Sequence, residues 1–260
     1  MDGKLILLGT GGSAGTPAIG NWWGNCDPAN PRNRRTRPSV AIQTENTLVV
    51  VDTGPDFREQ MNREKLGIPD AIIITHAHSD HVNGLDELRT LQRLHKRKFD
   101  IHALDATFEK LKRRLDYMFE ETEGGFYPAV CNPARVRQGA EIRVGDIVIT
   151  PFEQDHGTLN SLGLKIGNIG YSTDVKRLSG EALEILSGID TWIVDAAGHH
   201  SRANPVHMCI EEVVETNEKI GAKKVFLTHL PPTMDHQTLI DELPENFAPA
   251  YDGMVLAFKS

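Results

Sequence analysis

The 260-residue chain carries 36 acidic against 28 basic side chains, a formal charge of −8, so its global field repels polyanions and gives no support to a general nucleic-acid binder. Hydrophobic residues make up 39% and charged residues 25%, a mix that excludes a disordered or fibrous chain and is compatible with one domain, residues 1–260. The three cysteines, Cys26, Cys131 and Cys209, form no C-x-x-C pair, which argues against a disulfide framework or a thiol zinc site and points to a reducing compartment.

Short apolar or β-branched runs predict strands at residues 4–8, 47–52, 71–75, 141–152, 191–195, 224–228 and 254–258. The first run is too short for a signal segment, and no run approaches the roughly 20 residues of a membrane helix, so a cytoplasmic location is expected. Gly9-Thr10-Gly11-Gly12-Ser13-Ala14-Gly15 follows that strand, but Pro17 and Gly20 interrupt any helix behind it, which favours a tight turn over a nucleotide fingerprint. Residues 21–38 read as an irregular loop in which Arg32, Arg34, Arg35 and Arg37 offer a phosphate grip, with solvated or internally paired arginines as the plain alternative. Of these, Arg34 and Arg35 are taken as candidate substrate-binding residues.

Helical periodicity joins Leu85, Leu88, Leu91 and Leu94, and again Phe108, Leu111, Leu115 and Met118. The basic run 93–98 suits a helix C-terminus. Residues 141–171 read as consecutive antiparallel strands, which fits a layered α/β fold better than a Rossmann alternation. Asn204 and Pro205 form a start signal for a helix that would carry His207 in its first turn.

The densest chemical signal is His76-Ala77-His78-Ser79-Asp80-His81 directly after the strand at 71–75. Four nitrogen and oxygen donors within six positions converge if the loop curls around a common centre, and these donors suit Zn, Mn or Fe. A solvated polar loop explains one histidine pair but poorly explains three histidines and an aspartate. His156, Asp174 and His229 each stand where a predicted strand gives way to loop, and with the cluster they are candidate ligands. Asp52, also at a strand end, is expected to orient a ligand histidine. His199 and His200 are backup candidates for an acid role, and His236 reads as a surface residue or a neighbour of the ligands.

His76-x-His78-x-Asp80-His81 followed by His156, Asp174 and His229 resembles the metallo-β-lactamase superfamily. That resemblance implies a four-layered αββα sandwich of two mixed sheets with outer helices. It also implies one cation on His76, His78 and His156, a second on Asp80, His81 and His229, and Asp174 bridging. Gly9-Thr10-Gly11, Asn33-Arg34-Arg35 with Ser39, Asp52-Thr53-Gly54-Pro55-Asp56-Phe57-Arg58, His207 and Ala250-Tyr251-Asp252-Gly253 are similar to the phosphodiesterases of the carbon-phosphorus lyase pathway. This closer resemblance implies hydrolysis of small phosphate diesters, such as cyclic ribose phosphates or nucleotides, with two divalent ions (Zn or Mn), Asp80 in the catalytic centre and His207 acting on the phosphate.

The sequence departs from that family at Asn21, Trp23 and Pro232, where ligands of a structural zinc would stand beside Cys26, so no structural zinc is expected. Trp22 and Trp23 offer a base-stacking platform or, the favoured reading, a cover for that place. Asn204 replaces a histidine common in the family. The expected partner is a small anionic phosphate ester, with no stable nucleic-acid complex, no membrane, and a homodimer as the oligomeric option. A tRNA 3′-processing nuclease, a thioester or lactone hydrolase, and a non-catalytic metal-binding scaffold are the competing functions. The missing Gly-Pro-rich arm and the negative charge speak against the nuclease.

Overall fold

The computed structural model describes residues 2–121 and 128–259. The first half of the chain runs β1 (Asp2–Gly9), β2 (Ser39–Gln43), β3 (Leu48–Val51), α1 (Phe57–Arg63), β4 (Ala71–Ile73), α2 (Ser79–Val82), α3 (Leu88–His95), β5 (Phe99–Ala103), α4 (Asp105–Arg114), α5 (Asp116–Phe119) and β6 (Cys131–Arg135). The second half runs β7 (Ile142–Val144), β8 (Ile147–Asp155), β9 (Asn160–Ile166), β10 (Ile169–Ser172), β11 (Arg177–Leu178), α6 (Gly180–Leu186), β12 (Thr191–Asp195), α7 (Ile210–Ile220), β13 (Lys224–Thr228), α8 (His236–Glu242), β14 (Phe247–Pro249) and β15 (Val255–Lys259).

Two mixed sheets result, one in the order β15-β1-β2-β3-β4-β5-β6 and the other β11-β8-β9-β10-β12-β13-β14, with β7 paired to β8. Alternating side chains leave a strand on opposite faces, and β1 shows the effect. Leu5 and Leu7 meet Val40, Val49, Leu164, Tyr171 and Ile193 between the sheets. Ile6 and Leu8 face the other way, toward Phe57 of α1, Leu88 of α3 and Phe108 of α4. The outer face of the second sheet is covered by α6, α7 and α8 around Trp192, Val213 and Leu239. Helices outside and two apolar faces between them make the αββα sandwich.

Three local readings of the sequence are corrected. The run 141–152 is two strands, because Gly145 adopts a positive φ of 53° and turns the chain into a hairpin. The periodic stretch 108–118 is broken at Leu115 (φ −139°, ψ 41°), so α4 and α5 bury Leu111 and Met118 as separate pieces. No helix starts at Pro205. Asn204 Oδ1 instead accepts from the backbone N–H of Val206 (3.0 Å) and His207 (2.9 Å) in an Asx turn. Met208 then donates its N–H to Val175 O (2.8 Å), which holds the chain extended until α7 begins at Ile210.

Strand direction positions the chemistry. β3 and β4 are parallel, as are β10 and β12, and β12 and β13. β8 runs antiparallel to β9, which runs antiparallel to β10, so β8 and β10 share a direction. The C-terminal ends of β3 and β4 in one sheet and of β8, β10, β12 and β13 in the other therefore carry Asp52, the His76 loop, His156, Asp174, Asp195 and His229. A backbone bond from Leu162 N–H to Thr75 O (3.0 Å) ties the two sheets together beside them. Because Ile193 is fully buried between the sheets, Ile193→Ala is expected to cost about 2–5 kcal/mol. Urea unfolding measures it, and a loss below about 1 kcal/mol would contradict this account of the core.

Candidate metal centre

The loop after β4 turns at once into the short helix α2, which presents Asp80 and His81 inward while His78 stands at its mouth. Close backbone approach makes this possible. A Cβ on Gly54 would lie 2.1 Å from Asp80 O, and one on Gly84 would lie 2.1 Å from Gly54 O. Thr53 N–H donates to His81 O and Gly84 N–H to Thr53 O, both at 2.8 Å, which locks the two loops.

Asp174 lies between two sets of ligands. Its Oδ1 stands 3.5 Å from His156 Nε2 and 3.9 Å from His76 Nε2, and His76 Nε2 lies 2.9 Å from His78 Nδ1. Its Oδ2 stands 3.1 Å from His81 Nε2 and 3.4 Å from His229 Nε2. Asp80 Oδ2 completes the second set, 3.4 Å from His81 Nε2 and 3.5 Å from His229 Nε2. Ligands about 2.0–2.1 Å from one tetrahedral ion are about 3.3 Å apart, so these separations match two ligand sets sharing a carboxylate.

Three observations test the fit to cations. Asp80 Oδ2, His81 Nε2 and His229 Nε2 are buried and have no hydrogen-bond partner among the described residues, although they converge. A cation supplies what each lacks. Second, burial and then the neighbouring His81 hold His76 far below the ordinary imidazole range, and burial likewise lowers His78 and His156. Neutral imidazole is the ligating form. Third, burial alone would depress His229, yet Asp174, Asp80 and Asp195 raise it to about 9, and Asp174 and Asp52 raise His81 in the same way. The pocket is a field of carboxylates that favours positive charge. The residues present fit two divalent cations.

A second layer fixes the rings. Asp52 is fully buried, accepts the N–H (2.8 Å) and hydroxyl (2.7 Å) of Thr75, and meets His81 Nδ1 at 2.6 Å, which leaves His81 Nε2 facing the centre. His156 Nδ1 donates to Val206 O at 2.8 Å and frees its Nε2 in the same way. Asp195, which sequence reasoning did not single out, plays this part in the second sheet. Its Oδ2 lies 2.6 Å from His207 Nδ1 and its Oδ1 3.8 Å from His229 Nδ1, and it accepts the N–H of Val175 and Ala197. Its only sequence signal was an aspartate ending an apolar strand, the signal already used for Asp52.

His207 is partly exposed, with ring centroids 5.1 Å from His156 and 5.0 Å from His229. It stands at the open side of the paired sets, held there by the Asx turn and by Asp195. Asp52, Asp174 and His229 have φ of 64°, 50° and 58°, a left-handed conformation that non-glycine residues adopt at a cost.

The other candidates fall elsewhere. Arg35 is buried and donates to Met234 O (2.7 Å) and Asn33 Oδ1 (3.3 Å), a scaffolding position that corrects its reading as a substrate residue. Arg34 is exposed with its guanidinium 5.2 Å from the Trp23 ring centroid, outside both ligand sets. An antiparallel bridge between Thr16 and Arg35 sets this alternation of inward and outward residues. His236 is buried rather than superficial, and burial, Arg35 and Arg32 push its pKa down to about 4. At the place of the family's structural zinc, Cys26 Sγ contacts Met234 O at 3.4 Å, and Asn25 N–H donates to Pro232 O at 3.0 Å. The glycine-rich turn borders the centre, with Gly12 N–H donating to Leu230 O (3.1 Å) next to His229.

A profile described as the beta-lactamase superfamily domain matches residues 47–230. The crystal structure of a diphosphatase from the PhnP family superposes with a TM-score of 0.87 at 33% identity, covering 99% of this chain and 98% of its own. An octanoyltransferase from Porphyromonas gingivalis is 31% identical over 255 residues, 96% of this chain and 51% of that protein. A ribonuclease Z from Methanopyrus kandleri is 25% identical over 187 residues, 70% of this chain and 54% of that protein. The chain thus spans about half the length of these two curated relatives. It belongs to the metallo-β-lactamase superfamily. Within that superfamily it stands close to the PhnP family. No helix among the described residues is long and apolar enough to cross a membrane.

Asp195→Asn keeps the shape but puts an amide where His207 meets a carboxylate. Activity is expected to fall about 10- to 100-fold while the circular dichroism spectrum stays unchanged; unaltered turnover would remove the orienting role.

Proposed function

We propose that the chain hydrolyses small phosphate diesters, with two divalent cations on the ligand sets that share Asp174. The observation that carries this reading is the division of the Asp174 oxygens between two three-residue sets, with a His207 ring nitrogen close to Asp174 and His229. His76, His78 and His156 would hold one cation and Asp80, His81 and His229 the other. When bound, such a pair supplies a hydroxide equivalent at neutral pH and neutralises charge building on phosphoryl oxygens.

The protein's own groups do the rest. Asp52 and Asp195 keep one nitrogen of His81 and of His207 occupied, so each ring presents its Nε2 to the reacting region. His207 is then placed to hydrogen-bond an equatorial oxygen or to give a proton to the departing oxygen. General-acid help of this kind is worth about 10²- to 10⁴-fold. Accordingly, His207→Ala is expected to lower kcat on an aryl phosphodiester by about that factor with metal content retained. Full turnover in the variant would take the role away from His207.

A groove of about 580 Å³ opens beside His76 and Ala77 and passes Thr107, Lys110, Arg137 and Asn160. Of its acidic groups, Asp105 is paired with Arg135, whereas Glu153 accepts from the neutral Asn160 amide and keeps its charge, one negative group against Lys110 and Arg137. Lys110 and Arg137 are exposed and have no ion-pair partner among the described residues. The free charge of the groove is therefore positive in a chain of net charge −8, which favours a substrate whose leaving portion carries a second negative group. The likeness to a diphosphatase supports the same choice over a thioester or lactone. It also supports a small substrate over the long RNA implied by the ribonuclease Z relatives.

The double variant Lys110→Ala, Arg137→Ala should raise KM roughly two- to tenfold for diesters bearing a second phosphate and leave unaffected an aryl diester whose departing group is uncharged. A panel of cyclic nucleotides, nucleoside diphosphate esters, a thioester and precursor tRNA tests the class. Turnover of the thioester alone, or of the RNA alone, would refute it.

A further inference from the structure

Away from the paired centre, imidazole and carboxylate groups converge a second time, where the loop after β12 meets the start of α7 and the end of α8. His199, His200 and Glu242 each present a donor atom, and these atoms all lie within 4.8 Å of one another. The two imidazoles lie side by side with centroids 4.3 Å apart. His200 Nδ1 is 2.8 Å from Glu211 Oε1, and its Nε2 is 3.8 Å from Glu242 Oε2.

The ion pair to Glu211 engages one side of the His200 ring, and a longer contact to Glu242 engages the other. His199 belongs to the same convergence of donor atoms. One nitrogen backed by a carboxylate, with the other turned toward further donors, is the plan that Asp52 and His81 follow in the buried centre. We propose that His199, His200 and Glu242 form a separate site for a zinc-like divalent cation, with Glu211 as a positioning residue behind His200. Three nitrogen and oxygen donors suit zinc and leave a coordination position for water. Burial and the neighbouring His200 keep His199 below the ordinary imidazole range, and the hydrogen bond from His200 outweighs burial to hold the Glu211 carboxyl at about 2.

The site lies at the root of the loop that delivers His207. Gly198 N–H donates to Met208 O at 2.9 Å, and a Cβ at Gly198 would lie 2.6 Å from that oxygen, so the two ends of the loop touch. A cation on His199, His200 and Glu242 fastens the end of α8 to this loop. His200 and Glu242 are each about half exposed, 50% and 49%, so the ion exchanges with solvent more readily than one in the buried centre.

The test is calorimetric titration of zinc into protein already loaded with two equivalents of zinc and freed of excess by gel filtration. One further equivalent per chain is expected, accompanied by a rise in Tm. Glu242→Ala and His199→Ala should each lose that equivalent and the Tm rise, and Glu211→Gln should weaken it about 10- to 100-fold. Phosphodiester turnover at two equivalents should stay at the wild-type level in Glu242→Ala, which shows the variant folded. Absence of a further equivalent in the wild type, or its persistence at unchanged affinity in Glu242→Ala, overturns the site without touching the reading of the buried centre.

Discussion

The centre depends on one buried carboxylate. Asp174 is 2% exposed, sits at the end of β10 with a φ of 50°, and faces different histidines with its two oxygens. A carboxylate placed so deeply costs free energy unless positive charge compensates it. His81 and His229 supply part of that charge, and burial is outweighed by these histidines in holding Asp174 well below the usual carboxylate range. Its backbone is fixed as firmly as its side chain. Ser161 Oγ donates to Asp174 O at 2.8 Å and Gln154 Nε2 to Thr173 O at 2.9 Å, so β8 and β9 hold the end of β10 in place.

The fold follows from this requirement as much as it serves it. His76, His78, Asp80 and His81 come from the first sheet, whereas His156, Asp174 and His229 come from the second. Neither sheet alone would complete a ligand set, so bound cations would couple the packing of the two halves to the centre. Each sheet also contributes one buried strand-end aspartate, Asp52 or Asp195, that turns a histidine nitrogen inward. His207 completes the arrangement from a loop rather than a strand. Its position rests on the Asn204 side chain and the Asp195 carboxylate together.

Much of this was legible in the sequence, for physical reasons. Four candidate ligands within six residues leave few alternatives to a common centre, and His229 directly follows the apolar run 224–228. The layered α/β class was visible in the alternation of β-branched runs and helical spacings. Asp195 escaped notice because an aspartate closing a strand is ordinary until its neighbours in space are known. Asn204 was misread because an Asn-Pro pair signals an Asx turn as well as a helix cap, and only Val175, distant in sequence, decides between them. Arg35 was misread because a basic run carries no information about which members point inward. That depends on the pairing with Thr16.

The most direct measurement of the shared-carboxylate arrangement is anomalous diffraction at the metal edge from crystals grown with zinc or manganese. Two peaks roughly 3.5–4 Å apart are expected on either side of Asp174, one bounded by His76, His78 and His156 and the other by Asp80, His81 and His229. A single peak there, or two peaks that Asp174 does not bridge, would contradict the account.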